Sequence, residues 1–237
     1  MKFIFSIYLF SICISSIAQK QFVLDEHAEL RTVAATFTSI KVSSAIQLYL
    51  SMGANEAVAT SATNQVYRDG IKLEVVNGEL NIYYDGPNKW ASNNNGLKVY
   101  VAYKNLVQLT ISSASNVVIA GIMNLPMLHV KLSGASNLKG QVNINNLTLR
   151  CSAASDVQLT GIVKNLIIES SGASDVHAYG IVADTAIIKT SGASDVQLTV
   201  NHVLTAVASG ASNIFYKGNP TLKNQQNSGA STIAKQN

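Results

Sequence analysis

The sequence predicts an all-β fold, a right-handed parallel β-helix (solenoid) of about 19–20 residues per turn in its C-terminal half, with less regular β turns upstream. Three observations predict it. A five-residue motif recurs seven times at near-constant spacing, apolar and polar residues alternate before each copy, and an unbroken aliphatic column follows.

The motif, Ser-(Gly/Ala/Ser)-Ala-Ser-(Asp/Asn/Thr), starts at Ser112, Ser133, Ser152, Ser171, Ser191, Ser209 and Ser228. Spacings of 21, 19, 19, 20, 18 and 19 residues are too short for two-helix repeats of about 33 residues and suit one coil of strands per copy. With the first Ser as position 0, positions −5, −3 and −1 carry triplets such as Val107, Leu109, Ile111; Leu147, Leu149, Cys151; and Leu166, Ile168, Ser170. This is the period of a strand with one buried face. Between them stand Gln108, Thr110, His129, Lys131, Arg150, Glu169 and Lys189, which belong in water. Position +5 is Val117, Leu138, Val157, Val176, Val196, Ile214 and Ile233, so a second strand also turns one side inward. The alanine column at +2 lies on even positions and the inward columns on odd ones, and this change of parity requires a bend. The expected corner residues include Ala135, Ser136, Ala154, Ser155, Ala173, Ser174, Ala193 and Ser194. Small side chains let turns stack there, and Ser with Asn or Asp can satisfy backbone groups that a bend leaves unpaired.

Stacked turns about 4.8 Å apart pair every strand with its copy one turn away. The right-handed sense follows from the handedness of parallel crossover connections. The regular repeats span 107–216. A polar terminal turn, 217–233, with Lys223, Gln225 and Asn227 where apolar residues stood before, protects the open edge and leaves a tail at 234–237. Irregular turns, 37–106, complete a β-helix domain of 37–233. Within them Ser43-Ser44-Ala45-Ile46 reads as a degenerate copy that has lost one residue after its alanine. Strands are expected at 71–75, 80–84 and 97–101, and Asn77-Gly78 marks a hairpin. Asp85-Gly86-Pro87 and Ser92–Gly96 read as exposed loops flanking Trp90.

Residues 1–18 read as a signal peptide: Lys2, an apolar run from Phe3 to Ile14, and the small-x-small site Ser16-Ile17-Ala18. A lead-in or cap, 19–36, follows. An N-terminal anchor is the competing reading, but the apolar run is shorter than the roughly 20 residues of a bilayer span. Lipid attachment at Cys13 is disfavoured by Ile12 directly before it. No later segment could cross a membrane, so the chain is expected to be exported, to the periplasm, the outer-membrane surface or the exterior. Cys151 is then the one cysteine left, which rules out an intramolecular disulfide. Its inward column makes it an inert buried thiol. Scattered lysines and a formal charge of +4 provide no nucleic-acid footprint.

With those residues in view, the chain resembles the putative auto-transporter adhesin, head GIN domain family. The resemblance rests on Phe37-Thr38-Ser39-Ile40-Lys41-Val42, on Val76-Asn77-Gly78-Glu79-Leu80-Asn81-Ile82 and above all on the repeated Leu132-Ser133-Gly134-Ala135-Ser136. It implies a β-helical exported protein of unestablished function and brings no catalytic residues.

The four histidines, His27, His129, His177 and His202, occupy unrelated columns. No cofactor motif, nucleophile elbow or phosphate loop is present, and no catalytic, cofactor or metal residue is assigned. One constellation raises a question of chemistry. Position +4 places Asp156, Asp175 and Asp195 on consecutive turns, where three carboxylates could form a calcium or saccharide ladder or simply bond to their own corner backbone. The expected function is a non-enzymatic, adhesin-like binding or structural protein of the envelope or surface, with a glycan or surface protein as partner. The alternative is a polysaccharide-acting enzyme that uses the Asp ladder, a reading by fold analogy.

Overall fold

A computed structural model describes residues 27–87 and 96–237. The expected signal peptide, residues 19–26 and the loop residues 88–95 around Trp90 lie outside the described residues. In chain order the elements are β1 (Glu29–Arg31), β2 (Ser39–Val42), β3 (Gln47–Met52), β4 (Ala57–Ser61), α1 (Gln65–Asp69), β5 (Ile71–Val76), β6 (Glu79–Tyr84), β7 (Lys98–Tyr103) and β8 (Gln108–Ile111). The long coils follow as β9 (Asn116–Leu132), β10 (Asn137–Cys151), β11 (Asp156–Ser170), β12 (Asp175–Thr190) and β13 (Asp195–Ala208), then β14 (Asn213–Lys217), β15 (Thr221–Asn227) and β16 (Thr232–Lys235).

From β9 to β13 each coil pairs in parallel with the next, so the chain is a parallel β-helix. Val117, Leu138, Val157, Val176, Val196 and Ile214 occupy one continuous rung position. All six are essentially inaccessible to solvent, and each such aliphatic side chain contributes about 1.5–3 kcal/mol by leaving water. A single apolar core runs from Phe37 to Tyr216.

Each turn contains a third inward stretch that the two-strand reading missed. It holds Met123 and Leu125, Val142 and Ile144, Val163, Ile181 and Ala183, and Val200. Bulges introduce it: the register shifts between Lys139 and Gln141 and again between Gln158 and Gly161. A pair of consecutive exposed residues, such as Asn145-Asn146 or Lys164-Asn165, ends it.

Three expectations need correction. Val107 is exposed, and Leu106 enters the core in its place, because this first copy joins the irregular region before the column alternation is established. The alanines at +2 are exposed, whereas the serines at +3 are buried. Inward positions therefore stay odd through the motif, and the bend comes from backbone conformation. The upstream copy has lost no residue: Val42 pairs Ile111 and Gln47 pairs Asn116. Ile46, fully buried, stands where the other copies have serine.

At the N-terminal end the layers do not follow chain order. β2 lies between β6 and β8, and β3 lies between β7 and β9, all parallel. The β2–β3 turn is thus enclosed by two turns made later. Outside them β5 pairs β6 and β4 pairs β7, both antiparallel, and β1 adds to β4. Asn77 and Gly78, at φ 50° and 75°, close the expected β5–β6 hairpin as a type I′ turn closes one. At the other end β15 is exposed along its whole length and β16 carries the partly buried Ile233. Its polar Lys223-Asn224-Gln225-Gln226-Asn227 sequence discourages edge-to-edge pairing.

Candidate functional site

Nearly all of the repeated motif is occupied in building the corner. Position +1 has positive φ in all seven copies, from 54° at Ser113 to 77° at Gly192, which turns the chain between one strand and the next. The serine at +3 then points inward and fastens the bend. Its hydroxyl donates to the carbonyl of the serine at position 0, from Ser136 to Ser133 and Ser155 to Ser152 at 2.7 Å, Ser174 to Ser171 and Ser194 to Ser191 at 2.9 Å, and Ser212 to Ser209 and Ser231 to Ser228 at 2.8 Å. Ser115 is the exception, with its buried Oγ lacking a partner. Ala135, Ala154, Ala173 and Ala193 lie exposed on the outer curve.

Corners also bond to one another, and in two directions. The amides of Ala45 and Ala114 donate forward to the carbonyls of Ser113 and Gly134, both at 2.8 Å. Those of Ala173, Ala193, Ala211 and Ala230 donate backward to Ala153, Gly172, Gly192 and Gly210, at 2.6 to 2.8 Å. Positive φ extends to +2 at Ala45, Ala114 and Ala135, and to no later +2 alanine. The corner changes form between Ala135 and Ala154.

The carboxylates at +4 do come together. Asp156 pairs in register with Asp175, and Asp175 with Asp195, between Asn137 on one side and Asn213 on the other. Amides tie the two ends: Asn213 Nδ2 donates to Asp195 Oδ1 at 2.8 Å, and Gln158 Nε2 to Asp156 Oδ2 at 3.4 Å. Asp156 Oδ1 is buried without a partner. Among the described residues no three His, Cys, Asp or Glu side chains are disposed to hold a metal ion. Cys151 is buried in the core, and desolvation, with a smaller contribution from the charge of Asp156, pushes its thiol up to about 12. Such a thiol is no nucleophile at neutral pH.

Two open grooves cross the turns on either side of the corner, where outward rows of side chains stack in register. Before the corner a groove of about 670 Å³ has Lys131, Arg150, Glu169 and Lys189 on its wall and the position 0 serines on its floor. Arg150 Nε donates to Glu169 Oε2 at 2.8 Å. After the corner a groove of about 630 Å³ is lined by Lys139, Gln158, His177, Tyr179 and Gln197. There His177 Nδ1 lies 3.4 Å from Gln197 Oε1, and the Lys217 ammonium sits 5.2 Å from the centre of the Tyr179 ring. The same row continues towards the N-terminal end through Val118 to Tyr49 and Tyr100, whose rings stack at 5.0 Å. The first groove contains one carboxylate, already paired, and the second none. Neither holds the acid and base pair that glycoside cleavage uses. Sequence reading missed both grooves because their rows are neither uniform in residue type nor part of the motif. The signal that marks them is positional, at −2 and +6.

The family model for the putative auto-transporter adhesin, head GIN domain, matches residues 36–220. No curated protein matches the chain. Among solved structures, a putative adhesin from Bacteroides fragilis NCTC 9343 superimposes with a TM-score of 0.78 at 18% identity, over 88% of this chain and 96% of that one. A putative lipid binding protein from Parabacteroides distasonis ATCC 8503 gives 0.67 at 17%, over 90% and 98%. A putative adhesin from Parabacteroides merdae ATCC 43184 gives 0.62 at 15%, with the same coverages. At such identities the likeness is one of fold.

Proposed function

Because this chain belongs to the putative auto-transporter adhesin, head GIN domain family, whose function is not established, we propose that it is an exported envelope or surface protein that binds a partner along the side of its coil without chemically changing it. The carrying observation is the pair of open grooves that run across successive turns, built from register-stacked outward rows rather than from a converging cluster. Extended grooves of repeating side chains suit an extended partner, a glycan chain or a segment of another surface protein. The +3 serines of the corner motif take no part in binding, since their hydroxyls are spent on the backbone. Export is supported by the expected leader and by the family's description. Among the described residues no helix is long and apolar enough to cross a membrane.

Arrays of glycans and of envelope proteins, probed with the exported chain, test this reading. Binding that is lost when Gln158 and His177, or Lys131 and Lys189, are replaced supports it. Failure against a broad set by well-folded protein overturns it. Polysaccharide cleavage abolished by replacing Asp156, Asp175 and Asp195 together would favour the enzymatic alternative.

A further inference from the structure

We propose that the groove before the corner binds a carboxylated polysaccharide, an inference that rests on the reading that the coil binds by its side. Lys131, Arg150, Glu169 and Lys189 occupy one outward row on four consecutive turns, in register. Within it Glu169 is neutralised by Arg150 Nε at 2.8 Å. Lys131 and Lys189 stand exposed at either end, with no ion pair among the described residues. The row therefore presents two uncompensated cations three rungs apart, about 14 Å.

The floor is chemically different from the wall. Ser152, Ser171 and Ser209 each donate their hydroxyl to the carbonyl one turn back, at Leu132, Cys151 and Thr190, at 3.2, 3.4 and 3.3 Å. Their remaining capacity is to accept hydrogen bonds. A ligand in this groove must thus supply hydroxyl donors to the floor and anionic acceptors to the wall. The next outward row adds Ile167 and Ile187, 37% and 38% exposed and adjacent in register, an apolar strip on which the C–H face of a sugar ring can lie. The groove spans the five turns from Ser133 to Ser209, on the order of 20 Å, the length of an oligosaccharide segment. An acidic sugar polymer meets all these requirements at once. A phosphodiester without hydroxyls supplies acceptors only and leaves the Ser152, Ser171 and Ser209 hydroxyls unanswered.

The test is titration of the exported chain, at physiological salt, with polygalacturonate, alginate and hyaluronate, with carboxyl-reduced polygalacturonate, and with vesicles of phosphatidylmethanol, an anionic phosphodiester without hydroxyl donors. Three variants accompany the native chain: Lys131→Gln with Lys189→Gln, Lys164→Gln outside both grooves, and Lys223→Gln on the terminal turn. All four lysines are solvent-accessible, and unchanged thermal melts confirm folding. The expected result is binding to at least one carboxylated polymer, weakened about tenfold by the Lys131 and Lys189 pair, lessened by added salt, and unchanged by the other variants. The reduced polymer and the vesicles are expected not to bind. Binding of acidic and reduced polymer alike, indifference to the paired substitution, or binding of vesicles without polymer each overturns the proposal and leaves side-on binding standing. If no carboxylated polymer binds, the proposal falls. If the arrays are also blank, the broader reading falls with it.

Discussion

The corners at Ser43 to Ile46 and Ser112 to Ser115 make the same bend as those from Ser171 onward, yet close it differently. In the later corners a Cβ at position +1 would meet the carbonyl of the turn before, at 2.6 Å for Gly192 over Gly172 and 2.8 Å for Gly210 over Gly192. That position is accordingly glycine in every later copy. In the earlier form a Cβ at Gly134 meets no carbonyl, its nearest neighbour being the Ser113 amide nitrogen at 3.3 Å, and Ser44 and Ser113 occupy the equivalent place in the left-handed region. The hydroxyl fastener differs as well. Ile46 replaces it in the first corner, and in the neighbouring one the Ser115 hydroxyl is orphaned. One motif thus serves two geometries, and residue choice at +1 follows which carbonyl lies beneath.

Substitutions matched across the two forms can break or sharpen that comparison. The largest effect is expected for Val176→Asp, which puts a carboxylate into a fully buried column. It should cost about 4 kcal/mol or more, read as a collapse of the denaturant midpoint. Val107→Asp, at the copy where this strand is out of step and the side chain is exposed, should cost about 0.5 kcal/mol; equal losses would refute the corrected inward assignment. Gly192→Ala combines left-handed strain with the collision on Gly172 and should cost about 3 kcal/mol, against about 1 kcal/mol for Gly134→Ala. Ser174→Ala leaves the part-buried Ser171 carbonyl without its hydroxyl donor, a loss of about 1 kcal/mol, while Ser115→Ala should be neutral or slightly stabilising. A thermal melt distinguishes the two.

A pH series comes next. Burial raises the Cys151 thiol from 9.0 to about 12 and also raises the Tyr103 hydroxyl. Both favour the neutral form in the folded chain, so their contribution is complete below the unfolded values and is lost as pH rises. For Cys151 the window runs from about 9 to 12. Cys151→Ala should move the onset of alkaline unfolding upward, and the native thiol should resist alkylation at neutral pH. The smallest effect concerns the Asp ladder: added calcium should leave the melting temperature unchanged in the native chain and in Asp175→Asn alike. A rise confined to the native chain would reinstate a cation site.

Much of the coil was legible because a stack repeats its burial. Leu149 or Val196 could be assigned inward from its column alone, since the same position is apolar on every regular turn. The third inward stretch escaped notice because extra residues in β9 and β12, opposite Gly140 and the Leu159-Thr160 pair, shift its register on some turns and not on others, which blurs the columns. Reading a change of parity into the alanine column confused small size with a break in the inward pattern. The alanines are small because they ride the outer curve of a tight bend, whereas the inward serine bonds to the backbone in a place where a polar residue looked improbable. At the N-terminal end Ser43-Ser44-Ala45 was recognisable, but Ile46 looked like a deletion because an apolar residue fills the serine position. Neither groove was legible, since each depends on which outward rows become neighbours only after coiling.

The enclosure of β2 and β3 between later strands bears on the order in which the chain can acquire its structure. A solenoid whose turns add in sequence can fold from its leading end as it emerges. Here the leading turn cannot complete either edge until β6 and β7 have closed on one side and β8 and β9 on the other, through contacts such as Leu48 with Val99 and with Val117. Loops of that length must close before any of those contacts form, which slows nucleation at this end. The later coils, each pairing about 19 residues away, are the quicker nucleus. Folding should therefore run from the uniform repeats back towards the N-terminus, against the direction of synthesis.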